Sequence, residues 1–134
     1  MSKFDLSQFE LSETATLTVL SPRGDELTYN GNPVKITLYG AGSKEYVAAK
    51  YKFDNANTAL MRAMLSNKQV KNAAEETAKN TAEFLAACTA SIDNFPIDGG
   101  ALAIYSNPKL KYITDQVDKF LGESENFMPS LSAN

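Results

Sequence analysis

Cys88 is the single thiol in a chain of 134 residues that contains no histidine. A cysteine nucleophile needs a base or a positive field to hold it as thiolate, and imidazole is the usual source of both. Its absence removes every triad or dyad built on histidine. It also removes the usual zinc centres, since one cysteine and no histidine cannot supply their ligands. Cys88 stands in an alanine-rich stretch, where free cysteine behaves as a small buried hydrophobe.

Three other groupings have the composition of sites without the spacing. Gly40-Ala41-Gly42-Ser43-Lys44 has the glycines of a phosphate cradle, and amides at a helix start do attract anions. It satisfies neither G-x-x-x-x-G-K-[ST] nor G-x-G-x-x-G, because Glu45 occupies the last glycine position. A tight turn from strand to helix accounts for it. Glu75-Glu76 and the pair Asp93 and Asp98 lack the ligand spacing of a calcium loop and have no acid–base partner nearby in sequence. They read as solvated carboxylates. Tyr46, Tyr51 and Phe53 alternate with Lys44, Lys50 and Lys52 as a stacking platform for single-stranded nucleic acid would. Helical spacing assigns the rings to packing and the lysine stems to its edge.

The formal net charge is -3 and the basic residues are interspersed with acids, so the long-range field does not favour a phosphate backbone. Nucleic acid is not an expected partner. An apolar share of 43% with 22% charged residues is that of a folding chain, and its length fits one domain over 1–134. The opening MSKFDLSQFE lacks the apolar core of a secretory signal. No apolar run approaches the ~20 residues of a membrane helix, so no membrane association is expected. A lone cysteine suits a reducing compartment, and the cytoplasm is the expected location.

The elements that must position these residues are written in the periodicity. Residues 1–13 form an N-terminal arm in which Phe4, Leu6, Phe9 and Leu11 are spaced for a brief helix or an irregular segment laid on the core. From Thr14 to Leu20, β-branched residues and the alternation of Ala15, Leu17 and Val19 predict a strand. Pro22 to Asp25 and Asn30-Gly31 are turns, with a short strand over Leu27 to Tyr29 between them. Val34, Ile36 and Leu38 alternate with polar residues and predict a strand antiparallel to the first.

Ser43 is placed as the N-cap of a helix reaching about Leu65, with Asp54-Asn55-Ala56-Asn57 as a point of kink or break. Asn67 caps the next helix, expected from Lys68 through Val70 to about Ile92. Residues 93–100 end it with Pro96, Gly99 and Gly100. A helical turn over Ala101 to Tyr105 follows. Asn107-Pro108 then opens a last helix that carries Leu110, Tyr112, Ile113, Val117, Phe120 and Leu121 and stops at Gly122. The segment 123–134 has no period; Phe127, Met128 and Leu131 either dock it or leave it as a flexible tail. The expected fold class is α+β, predominantly α-helical, with an N-terminal antiparallel hairpin or small sheet packed on about four helices.

The same residues also stand in a family-like order. Thr14-Ala15 leads the strand, followed by Pro22-x-Gly24-x-x-Leu27, Asn32-Pro33-Val34-x-Ile36 and Leu38-Tyr39-Gly40-x-x-Ser43-x-x-Tyr46. Further along come Cys88-Thr89, Ile92 to Phe95, Gly99-Gly100-x-Leu102, Ser106-Asn107-Pro108, Ile113, Gln116-Val117-Asp118 and Asn126-Phe127. In this order the chain resembles the tail assembly chaperones of long-tailed, lambda-like phages and prophages. Phe95 stands where similar proteins often have tryptophan, an exchange that keeps an aromatic ring.

The resemblance implies a non-catalytic protein without cofactors. It implies self-association, binding to the tape measure protein, promotion of tail tube assembly, action in the host cytoplasm and absence from the mature virion. It also implies a longer form of the protein, made by ribosomal frameshifting, that adds a C-terminal domain. The competing reading is a structural tail or connector protein retained in the virion. Candidate residues for self-association or client binding are Ala74, Ala78, Thr81, Phe84, Leu85 and Cys88 on the long helix, Phe120 on the last helix, and Phe127 and Met128 beyond it. Each would equally serve one common core.

Overall fold

Val34, Ile36 and Leu38 are all buried, and their alternation with half-exposed neighbours makes the strand they define the centre of the molecule. The computed structural model describes residues 4–66 and 72–129. In it, β1 (Thr14–Thr18), β4 (Lys35–Tyr39) and β5 (Thr89–Asp93) form an antiparallel sheet in the order β1-β4-β5. Leu17 lies opposite Ile36 and Ala15 opposite Leu38, while Ile92 meets Ile36 from the other edge. A period of two therefore gathers the apolar residues of three strands on one face. The opposite face carries Thr16 and Thr37, whose hydroxyls lie 2.9 Å apart. Between β1 and β4, β2 (Thr28–Tyr29) and β3 (Asn32–Pro33) make a small hairpin. Asn30 and Gly31 close it with φ of 52° and 80°, the positive values its tight turn requires.

The chain leaves β4 through Gly40 and enters α1 (Lys44–Leu65). Ser43 caps this helix as expected, accepting from the Tyr46 amide at 3.1 Å while its hydroxyl donates to the Gly40 carbonyl at 2.7 Å. No break occurs at Asp54 to Asn57. Lys50 pairs with Asp54 at 3.0 Å along the helix, and Asn57 accepts from Asn80 of the next helix at 3.1 Å. These contacts offset the weak intrinsic propensity of the stretch.

α2 runs only from Ala73 to Ala87. The expectation of helix to Ile92 is overturned, since Thr89–Asp93 is strand β5. The unpaired edge of β4 offers these residues backbone partners, and Ile92 reaches the core from the sheet; tertiary pairing outweighs helical continuation. Thr89 marks the switch. Its hydroxyl donates to the Leu85 carbonyl at 2.9 Å, satisfying one of the last acceptors of α2. Asn67 as a cap, the helical start from Lys68 with Val70, and Leu131 lie outside the described residues.

After β5, α3 (Gly100–Tyr105) and α4 (Lys111–Gly122) complete the helical layer, with a 3-10 turn over Pro108–Leu110 between them. The Asn107 side chain accepts from the Lys109 amide at 3.0 Å, the expected cap before proline. Gln116 of α4 reaches back to the end of β1. Its carbonyl accepts from the Leu20 amide and its amide donates to the Leu20 carbonyl, both at 2.8 Å. Past α4, Ser124–Phe127 forms another 3-10 turn, and Phe127 is 2% exposed. That part of the tail is docked. The fold is α+β and predominantly helical, with Val19, Ile36, Leu38, Leu85, Ile104, Ile113 and Val117 in its core.

The N-terminal arm differs from one of its two expected forms. It contains a 3-10 turn over Leu6–Gln8, yet Phe4, Leu6 and Phe9 all face solvent and only Leu11 packs against the core. Phe4 and Phe9 stack on each other at 5.5 Å instead.

Candidate protein-binding surfaces

The alanines of α2 and the outer turns of α4 face each other across a groove of about 340 Å³. Ala78, Thr81 and Ala82 form one wall, Thr114, Asp115 and Asp118 the other, and Tyr105 to Pro108 close one end. Small side chains on α2 keep the groove open, since larger ones would fill the space to α4. Its rim is charged, with Lys111 and Asp115 paired at 2.9 Å. Inside, the Thr114 hydroxyl is buried with no hydrogen-bond partner among the described residues.

Of the nine candidate residues, Ala78 and Thr81 line this groove. Ala74 is exposed one turn earlier on α2. Phe84 faces α1, in an aromatic cluster with Tyr46 at 5.6 Å and Phe53 at 5.1 Å. Leu85 and Cys88 are wholly buried and Phe127 nearly so; these three present no surface to a partner and hold the core together. Phe120 is half-buried with its ring edge on Phe127 at 5.5 Å, and Met128 is exposed.

The sequence reading missed two features. Tyr105, Thr114, Asp115 and Asp118 join the groove only through the packing of α3 on α2 and of α4 on α3. On α1, Val47, Tyr51, Met61 and Leu65 form a solvent-facing row distinct from the Tyr46, Ala49 and Phe53 side. Helical spacing assigns the Tyr46, Tyr51 and Phe53 rings alike to packing; Tyr46 and Phe53 do pack on Phe84, but Tyr51 lies on the other side of the helix and faces solvent.

Cys88, Tyr105 and Gly40 are taken up by packing. Burial pushes the Cys88 thiol up to about 12, far from the range of a reactive thiolate. Burial likewise raises the Tyr105 phenol to about 12, opposed by its hydrogen bond with Thr89 and reinforced by Cys88. Gly40 is filled by Phe127, and its amide donates to the Glu13 carbonyl at 2.9 Å, so it is not free to cradle an anion. Among the described residues no group of three or more cysteines or carboxylates is placed to hold a metal ion. No described helix is long and apolar enough to cross a membrane.

The chain matches no protein-family model, no curated protein and no solved structure. What the surfaces offer is contact: a shallow groove walled by small residues, an exposed apolar row, and an arm with aromatic side chains in solvent.

Proposed function

We propose that the protein is a phage tail assembly chaperone that binds other proteins and catalyses nothing. The observation that carries the binding part is the set of large apolar side chains left open on α1 and on the arm. Tyr51, Leu65 and Phe4 remain exposed while residues such as Ile36, Leu38 and Leu85 are wholly buried. The tail assembly part rests on the order of sequence motifs from Thr14 to Phe127. Its clients in this reading are the tape measure protein and the tail tube protein, and it associates with itself and with a frameshifted longer form.

Mechanistically, several copies would line a long helical client, each seating a short segment in a shallow groove. Linked weak contacts hold such a client firmly as a set and release it one at a time. That property suits handover to tube subunits polymerising along the client. The groove residues Ala78 and Thr81 would admit a helix ridge, with Asp115 and Asp118 meeting basic side chains at its edge.

The reading places the protein in the host cytoplasm during assembly and outside the finished particle. Immunoblotting of lysates and of purified tails tests this. The protein should be abundant in the lysate and depleted from particles; stoichiometric retention would favour the structural tail or connector reading.

A further inference from the structure

The outward row on α1 has a spacing that reads the same in both directions. Val47 and Leu65 are equidistant from Ala56, as are Tyr51 and Met61, and as are Asp54 and Thr58 between them. At 3.6 residues per turn all six fall within one narrow sector of the helix surface. The apolar four are 59%, 70%, 62% and 78% exposed in chain order. The helix itself buries only Ala49 fully and packs chiefly on α2, so this side is open along its length.

The geometry points to α1 as a two-fold interface with a second copy of this chain, the two α1 helices lying antiparallel and crossing at the level of Ala56, whose own side chain is on the α2 side. A two-fold contact requires a surface complementary to its own reversal, which the binding of an unrelated partner does not. In this register Val47 meets Leu65 of the copy and Tyr51 meets Met61. The central polar pair also matches, because the Asp54 carboxylate accepts and the Thr58 hydroxyl of the copy donates. Antiparallel alignment sets the positive helix end at Lys44 toward the negative end of the copy's helix. Eight apolar side chains at about 100 Å² each would remove roughly 800 Å² from water, short of a standard interface, and the same register sets Lys50 beside Arg62 of the copy, a like-charge contact at the solvated rim. A reversible, concentration-dependent dimer is therefore expected. The proposal stands on α1 alone and does not need the chaperone reading.

The test is crosslinking with cysteine variants of the full chain. Position 47 of one copy would adjoin position 65 of the other, whereas the two copies of position 47 would lie about 27 Å apart. A mixture of Val47→Cys and Leu65→Cys chains should crosslink with a short bismaleimide, and neither variant should do so alone. Wild type, whose only cysteine is buried, serves as the control. Sedimentation of Met61→Glu should show a shift to monomer at concentrations where wild type dimerises, with an unchanged circular dichroism spectrum. Self-crosslinking of Val47→Cys would reveal a parallel arrangement and overturn the proposal. A monomeric wild type whose Met61→Glu variant loses only client capture would overturn it in favour of a heterologous partner. Loss of the dimer on deleting residues 1–9, with Met61→Glu still dimeric, would overturn it in favour of the arm. Client capture is read separately from dimerisation, so failure here leaves the chaperone reading to its own test.

Discussion

The ring of Phe127 lies on Gly40 so closely that a β-carbon built there would overlap the ring. The contact joins the last turn of the described chain to the junction between β4 and α1. It is reinforced by the Ser12 amide, which donates to the Phe127 carbonyl at 2.6 Å, and by the edge of Phe120. Glycine is needed at position 40 for room, since its φ is not positive.

Gly40→Ala should therefore destabilise the fold by about 1–3 kcal/mol through overpacking, and Phe127→Ala by about 3–5 kcal/mol through loss of a buried ring. The double variant should cost clearly less than the two together, because the alanine methyl then enters vacated space. Urea unfolding of the four proteins measures this. Strict additivity would show that the two residues do not touch in solution.

Gln116→Ala should cost about 1 kcal/mol by removing the side-chain amide that pairs with both backbone groups of Leu20. The loss is modest because water can reach this exposed edge. Hydrogen exchange at the Leu20 amide should accelerate while core amides keep their protection. An unchanged Leu20 rate would place the clip outside the solution structure.

Stability should decline at alkaline pH. Cys88 rises from 9.0 to about 12 and Tyr105 from 10.0 to about 12 on folding, chiefly because burial penalises the charged forms. The unfolded chain therefore loses these protons first, binds fewer than the native state, and gains on it as pH increases. The contribution is fully present below about pH 9 and is lost as pH rises toward 12. Tyr105→Phe should flatten the decline measured by urea unfolding across that window; an identical slope would exclude the phenol as a cause.

Ala78→Glu should fill the α2–α4 groove and add a carboxylate beside Asp115 and Asp118. Client capture should drop about tenfold or more, with circular dichroism and dimerisation unchanged. Quantitative capture with purified variant and wild type checks this. Equal capture would move the client site elsewhere.

Much of the fold was legible because local signals and tertiary demands agree. Asn30-Gly31 forms the turn its types predict, Ser43 caps α1, and Ile36 and Leu38 point inward with the period of a strand. β5 was not legible, because Thr89 to Asp93 follows α2 without glycine or proline and becomes a strand only when the edge of β4 is available. Phe127 had no periodic neighbours to reveal its burial, and its pocket is made by Gly40, far away in sequence. Of the candidate site, Ala78 and Thr81 were named from the alanine pattern, while Thr114, Asp115 and Asp118 meet them through packing that no local spacing encodes. Leu85 and Cys88 share the helical period with the groove residues, so period alone could not divide surface from core.

The most direct measurement is an affinity pull-down of tagged protein from cells producing phage tails, with bound proteins identified by mass spectrometry. The account predicts recovery of a very long, predominantly helical protein together with tail tube subunits, and reduced recovery of both with Ala78→Glu. Recovery of neither, under conditions that preserve weak complexes, would contradict it.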